Sequence, residues 1–343
     1  AVGGAGDRGE DPAAGGGGAV GQTAGGGVAS THMSKPRIVA IVRVLYGSDF
    51  AEESIASVYD HVDAVLCVVS RRIFGGAKKV VYFGHEVHFP HDMDGVESAL
   101  RRFKAQHDRA NKVTILENPY DTELVGQMRL ITNAMVIPRF PWATHVLLLE
   151  PDEVYHESVI SRLVGQAADQ TVDEWMVSPH LFWRTWRCAS TRDNPYVVLR
   201  ALKGRRDIGP TSHALLSLEK GMKRVNSGLR FHNFGYAASS RTVFWKHLAS
   251  LSFSRDLNLD SPPREEWFES VWTPWNMVTN PRTDLCPSKG YETAFPPAQP
   301  YPFDELPASM KQRIVENPLV DWIEHDRVAG LESPSVEPAL AAR

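Results

Sequence analysis

No stretch of 18 apolar residues occurs in this 343-residue chain, which excludes a hydrophobic membrane-spanning helix. Cysteine is scarce. Cys67, Cys188 and Cys286 are odd in number, widely spaced and unlike metal-ligand pairs, as expected of a reducing compartment. No G-x-G-x-x-G fingerprint follows a predicted strand and no phosphate-binding P-loop is present, which counts against a dinucleotide dehydrogenase and an ordinary phosphate-loop kinase. Basic residues form no dense stripe, and 37 of them against 41 acidic ones give a net charge of −4, so nucleic acid is a poor default partner. Aromatic residues are missing from residues 1–30, which hold twelve of the 26 glycines. Such a segment buries too little surface to offset the entropy of ordering it. Residues 1–33 are expected to be a flexible leader, native or appended, without the apolar core of a secretory signal.

What is present is organised around residues 146–154, VLLLEPDEV. An apolar run of this length bounded by a turn signal reads as a buried strand of a parallel sheet. It ends abruptly in Glu150, Asp152 and Glu153. Those carboxylates then lie at the carboxyl edge of the sheet, where open α/β folds bind ligands. They require water, a partner or a cation. Asp and Pro at a strand end also serve simple turn formation, and Asp152 could equally open a helix running through His156.

Strands are predicted at 37–44 (RIVAIVRV), 64–70 (AVLCVVS) and 112–116 (KVTIL), with a short extra one at 79–82. Helices are predicted at 52–61, 98–107, 122–136 and 156–166. Pro138 and Pro141 are expected to end the third of these. The alternation is that of an α/β sandwich with a mostly parallel sheet. Arg71 and Arg72 follow the second strand, where guanidinium groups could meet an anionic ligand or be solvated. His85, His88 and His91 read as ordinary surface histidines. After residue 170 the composition turns aromatic. Residues 200–206 are basic, a helix is predicted at 241–251, and residues 297–307 are proline-rich and extended. The stretch 254–276 alternates acids with tryptophans, which suits a carbohydrate-binding surface and a helix start equally.

In this order and spacing, the chain resembles the GT-A fold glycosyltransferases over residues 36–250, more narrowly their inverting family-2-like group. LLLEPDEV matches the acidic motif that ends the family's metal-binding strand. Asp152 falls on the principal metal position and Glu153 on the acid beside it, while Glu150 replaces the usual first Asp. Arg43 is retained from the family's first-strand motif, whereas the aspartate expected after the second strand is replaced by Ser70-Arg71-Arg72, so base recognition does not carry over. The helix bearing Gln127, Met128, Arg129 and Asn133 resembles the one beside the nucleotide. FHNFGY resembles the family's His-x-x-Gly-Tyr element, in which His232 would complete the metal shell.

The resemblance implies a GT-A type, Rossmann-like fold: a mostly parallel central sheet flanked by helices, with an aromatic-rich C-terminal acceptor side. Residues 34–170 would form the nucleotide-sugar half, 171–330 the acceptor-side half of the same domain, and 331–343 a weakly structured tail. The implied activity is transfer, with inversion, of a sugar from a UDP- or GDP-linked donor to an acceptor hydroxyl. Asp152, Glu153 and His232 would bind Mn²⁺ or Mg²⁺. Arg43, Arg71, Arg129, Asn133, Glu150 and Asp152 would contact the donor, and Glu266, Asp193 or Glu265 would serve as base. The acceptor, a small molecule, lipid head group or glycan, stays open, as does self-association. The expected location is cytoplasmic, with peripheral membrane attachment left open. A sugar nucleotidyltransferase and a non-catalytic carbohydrate-binding protein are the alternatives.

Overall fold

The IVAIVRV segment forms strand β1 (Ile38–Val44), buried on both faces as a central parallel strand must be. In the computed structural model, the described residues are 35–44, 48–70, 78–89, 95–119, 131–191, 195–203, 222–256, 265–275 and 297–316. All belong to one unit, Lys35–Arg343; the other, Ala1–Ser34, lies outside them.

From β1 the chain passes through helix α1 (Ala51–Tyr59) into β2 (Ala64–Val69). A hairpin of β3 (Lys79–Tyr82) and β4 (His85–His88) follows, with His85 and His88 exposed as expected; His91 lies outside the described residues. Helix α2 (Val96–His107) leads into β5 (Val113–Glu117), and β6 (His145–Leu149) is the strand of the acidic motif. β1 pairs in parallel with both β2 and β6, and β2 with β5, giving the order β6-β1-β2-β5. Alternate residues face opposite ways. Ala40, Val42 and Leu147 pack with α1, α2 and a further helix, α4 (Glu157–Gln166), while Val39, Ile41 and Leu148 pack with Ile131 and Met135 on the other face. The result is a Rossmann-like α/β sheet covered by helices on both sides.

The helix expected over 122–136 is described only from its wide turn, Ile131–Val136, onwards. It continues as Ile137–Arg139, the two pieces together forming α3, so Pro138 does not terminate it. Pro138 stands in the first turn of the α piece, directly after the wide turn.

Beyond α4 the sheet continues antiparallel. β8 (Glu174–Trp183), β9 (Thr185–Thr191) and β10 (Tyr196–Ala201) extend it to the order β12-β9-β8-β10-β6-β1-β2-β5, with β12 at Gln299–Pro300. The strands on either side of residue 170 thus share one sheet. β11 (Arg224–Tyr236) runs parallel to β8 and antiparallel to the two-residue β7 (Glu153–Val154). Helices α5 (Ser240–Asp256) and α6 (Ala308–Glu316) complete the C-terminal half.

One reading for this half is decided and one residue is placed. Arg200 is fully buried in β10, its Nε 3.5 Å from Glu174, which also accepts a 2.6 Å hydrogen bond from Arg224. Trp267, Trp272 and Trp275 line no open carbohydrate surface; they are buried in an aromatic core with Trp183, Phe234 and Phe268. Among the described residues no helix is long and apolar enough to cross a membrane.

Candidate functional site

The order β6-β1-β2-β5 has a physical consequence. The chain moves outward from β1 through β2 to β5, then returns to lay β6 on the opposite side of β1. At such a reversal the connections leave in opposite directions and open a crevice at the strands' carboxyl ends. β6 ends in that crevice with a tight turn. The Glu153 N–H donates to the Glu150 carbonyl at 3.0 Å, and Pro151 presets the second residue. Two further bonds fix the turn: the Ser54 hydroxyl donates to the Glu150 carbonyl (3.0 Å), and the Phe234 N–H donates to the Asp152 carbonyl (2.8 Å).

Each partly buried acid of the turn, Glu150 and Asp152, is met by a base. The parallel register sets Val42 beside Leu149, so the next residues outward, Arg43 and Glu150, meet and form an ion pair. Asp152 is held by Lys246 of α5, whose ammonium donates to its Oδ2 and also to the Gly235 carbonyl at 3.2 Å. Both side chains are about four-fifths buried, at 18% and 22% exposure. Gly235 makes this approach possible. A Cβ there would lie 2.6 Å from the Lys246 Nζ, 2.7 Å from the Asp152 Oδ2 and 3.0 Å from the Asn233 Oδ1.

The implied metal shell does not fit these residues. Strand alternation decides His232. Asn233 and the missing Cβ of Gly235 face Asp152, whereas His232 and Phe234 face the other way and stack on each other and on Phe182. His232 is buried, its Nε2 2.9 Å from the Tyr301 hydroxyl, and burial, with His180 adding to it, pushes its pKa down to about 3. Glu153 lies beneath the turn and accepts a 3.1 Å hydrogen bond from the Glu150 N–H. Burial, reinforced by Glu150 and Asp152, raises its carboxyl well above the usual range. Asp152 carries an ammonium on its Oδ2. Among the described residues, no three His, Cys, Asp or Glu side chains are placed to hold a metal ion. His232 and Glu153, expected as metal ligands, are both buried, His232 against Tyr301 and Glu153 beneath the turn.

Of the other expected residues, Arg43, Glu150 and Asp152 come together at the crevice. Asn133 is half-buried on α3. Arg71, Arg129 and Asp193 lie outside the described residues. Glu265 and Glu266 form the turn before Trp267, Glu266 exposed and Glu265 half-buried. His247, next to Lys246 on α5, ties this turn down by donating from Nε2 to the Glu265 carbonyl at 3.1 Å. Lys246, Asn233 and Gly235 were not anticipated from the sequence. The period-2 alternation of FHNFGY could have separated Asn233 and Gly235 from His232, but nothing local marks Lys246, 94 residues from its partner.

No protein-family model matches the chain, and no curated protein matches it. Solved structures similar to it include 4-diphosphocytidyl-2C-methyl-D-erythritol synthase, at 13% identity and a TM-score of 0.28 over 49% of this chain and 72% of that one. Residues 1–349 of TarS from S. aureus are similar at 11% identity and a TM-score of 0.34, over 69% of each chain.

Proposed function

We propose that the chain is a glycosyltransferase that binds a nucleoside diphosphate sugar at the crevice between β1 and β6 and passes the sugar to an acceptor hydroxyl. One observation carries this reading: an acidic turn, clamped by Arg43 and Lys246, stands where the strand order reverses. In the transfer, the acceptor oxygen bonds to the anomeric carbon as the bond from that carbon to the diphosphate oxygen breaks. The electron pair leaves with the phosphate, and the acceptor proton goes to a carboxylate, for which Glu266, Glu265 and Asp193 are the candidates. Charge builds on the departing diphosphate, so fixed cations beside it lower the barrier most. Arg43 and Lys246 supply them.

The test is release of free nucleoside diphosphate from a panel of UDP- and GDP-linked sugars, with and without added glycan or polyol acceptors. UDP or GDP release from one donor, lost in Asp152→Asn, is the expected result. Release of pyrophosphate from a sugar phosphate and a nucleoside triphosphate, with no action on any nucleotide sugar, would overturn it in favour of nucleotidyl transfer.

A further inference from the structure

We infer that Lys246, and not a divalent cation, supplies the positive charge that grips the diphosphate, with Asp152 as the residue that aims it. This rests on the reading of the crevice as a nucleoside diphosphate sugar site. Three observations carry it. First, the ammonium already sits on the Asp152 Oδ2, so a cation on that oxygen would stand against a second positive charge. Second, Lys246 has three donors. One goes to Asp152 and one to the Gly235 carbonyl, and the third makes no hydrogen bond among the described residues, while the side chain keeps contact with solvent. Third, the arrangement is built. Gly235 has no Cβ where one would strike both partners, and the Asp152 carbonyl is tied to the Phe234 N–H of the same strand. An ammonium so held is a point charge at the mouth of the crevice, suited to phosphate oxygens.

The experiment is calorimetric titration of UDP, GDP and the corresponding monophosphates into the full chain, first in EDTA and then in Mn²⁺ or Mg²⁺. The same diphosphate affinity in both, weakened at least about tenfold in Lys246→Met with much less effect on the monophosphate, is expected. Lys246→Arg, which keeps the charge, should retain most of the affinity. Diphosphate binding that appears only with Mn²⁺ or Mg²⁺ overturns this inference and leaves the nucleotide site standing. No binding of any nucleotide in either condition overturns the site itself, and the inference with it. Should Lys246→Met fail to fold by circular dichroism, the EDTA comparison on the unaltered chain still decides.

Discussion

The ammonium of Lys246 closes on the Asp152 carboxylate across 94 residues of sequence, at the carboxyl edge of β6. That contact makes Asp152 a holder of charge and ties α5 to the parallel sheet. Replacing Asp152 with Asn keeps the shape and removes the charge that orients Lys246. The expected outcome is a loss of transfer rate of about 10²-fold or more, with a far-UV circular dichroism spectrum unchanged. Full activity in this variant would remove the turn from the mechanism.

Gly235→Ala separates stability from function. The three atoms nearest the added methyl are the side-chain ends of Lys246, Asp152 and Asn233, which can give way. Stability should fall by only about 1 kcal/mol. Nucleotide affinity should fall much further, because the giving way displaces the Lys246–Asp152 pair. Thermal melting and calorimetry on the same sample check both halves.

The aromatic core holds a second long-range contact, from the Tyr82 hydroxyl to the Glu269 Oε1 at 2.5 Å. The other Glu269 oxygen is buried and has no hydrogen-bond partner among the described residues. Tyr82→Phe therefore strips the carboxylate of its donor. The expected cost is about 1–3 kcal/mol in chemical denaturation, with no change in nucleotide affinity.

Buried histidines set the acid limit. Burial pushes His247 down to about 4 and His232 down to about 3, each from an ordinary value near 6.5. Below pH 6.5 the unfolded chain takes up protons on these rings while the folded chain does not. The stability they contribute is thus complete above pH 6.5 and is lost as pH falls towards 4 for His247 and 3 for His232. Each contributes a slope of at most about 1.4 kcal/mol per pH unit. His247→Gln should flatten the decline between pH 6 and 4 in a denaturation series; an unchanged profile would count against this assignment.

The parallel half of the fold is legible in the sequence because its strands are buried on both faces. IVAIV, AVLCVV and VLLL are unbroken apolar runs whatever they pack against. The acids at the carboxyl end of VLLL are legible for the same reason, since that run ends so sharply. The site's completion is less so. Lys246 sits in a helix whose local sequence carries no sign of a strand-end partner, and only the folded chain brings it to Asp152. The histidine in FHNFGY is conspicuous as a residue type, yet backbone alternation turns it inward and presents Asn233 and Gly235 instead. Tryptophan richness near residue 270 likewise reports on a core; residue type alone does not distinguish an aromatic surface from an aromatic interior.

The most direct test is a crystal of the full chain soaked with a UDP- or GDP-linked sugar in EDTA. Diphosphate density within hydrogen-bond reach of the Lys246 Nζ, at the carboxyl ends of β1 and β6, is the expected result. Nucleotide bound on another edge of the sheet, with the Lys246–Asp152 pair untouched, would contradict it.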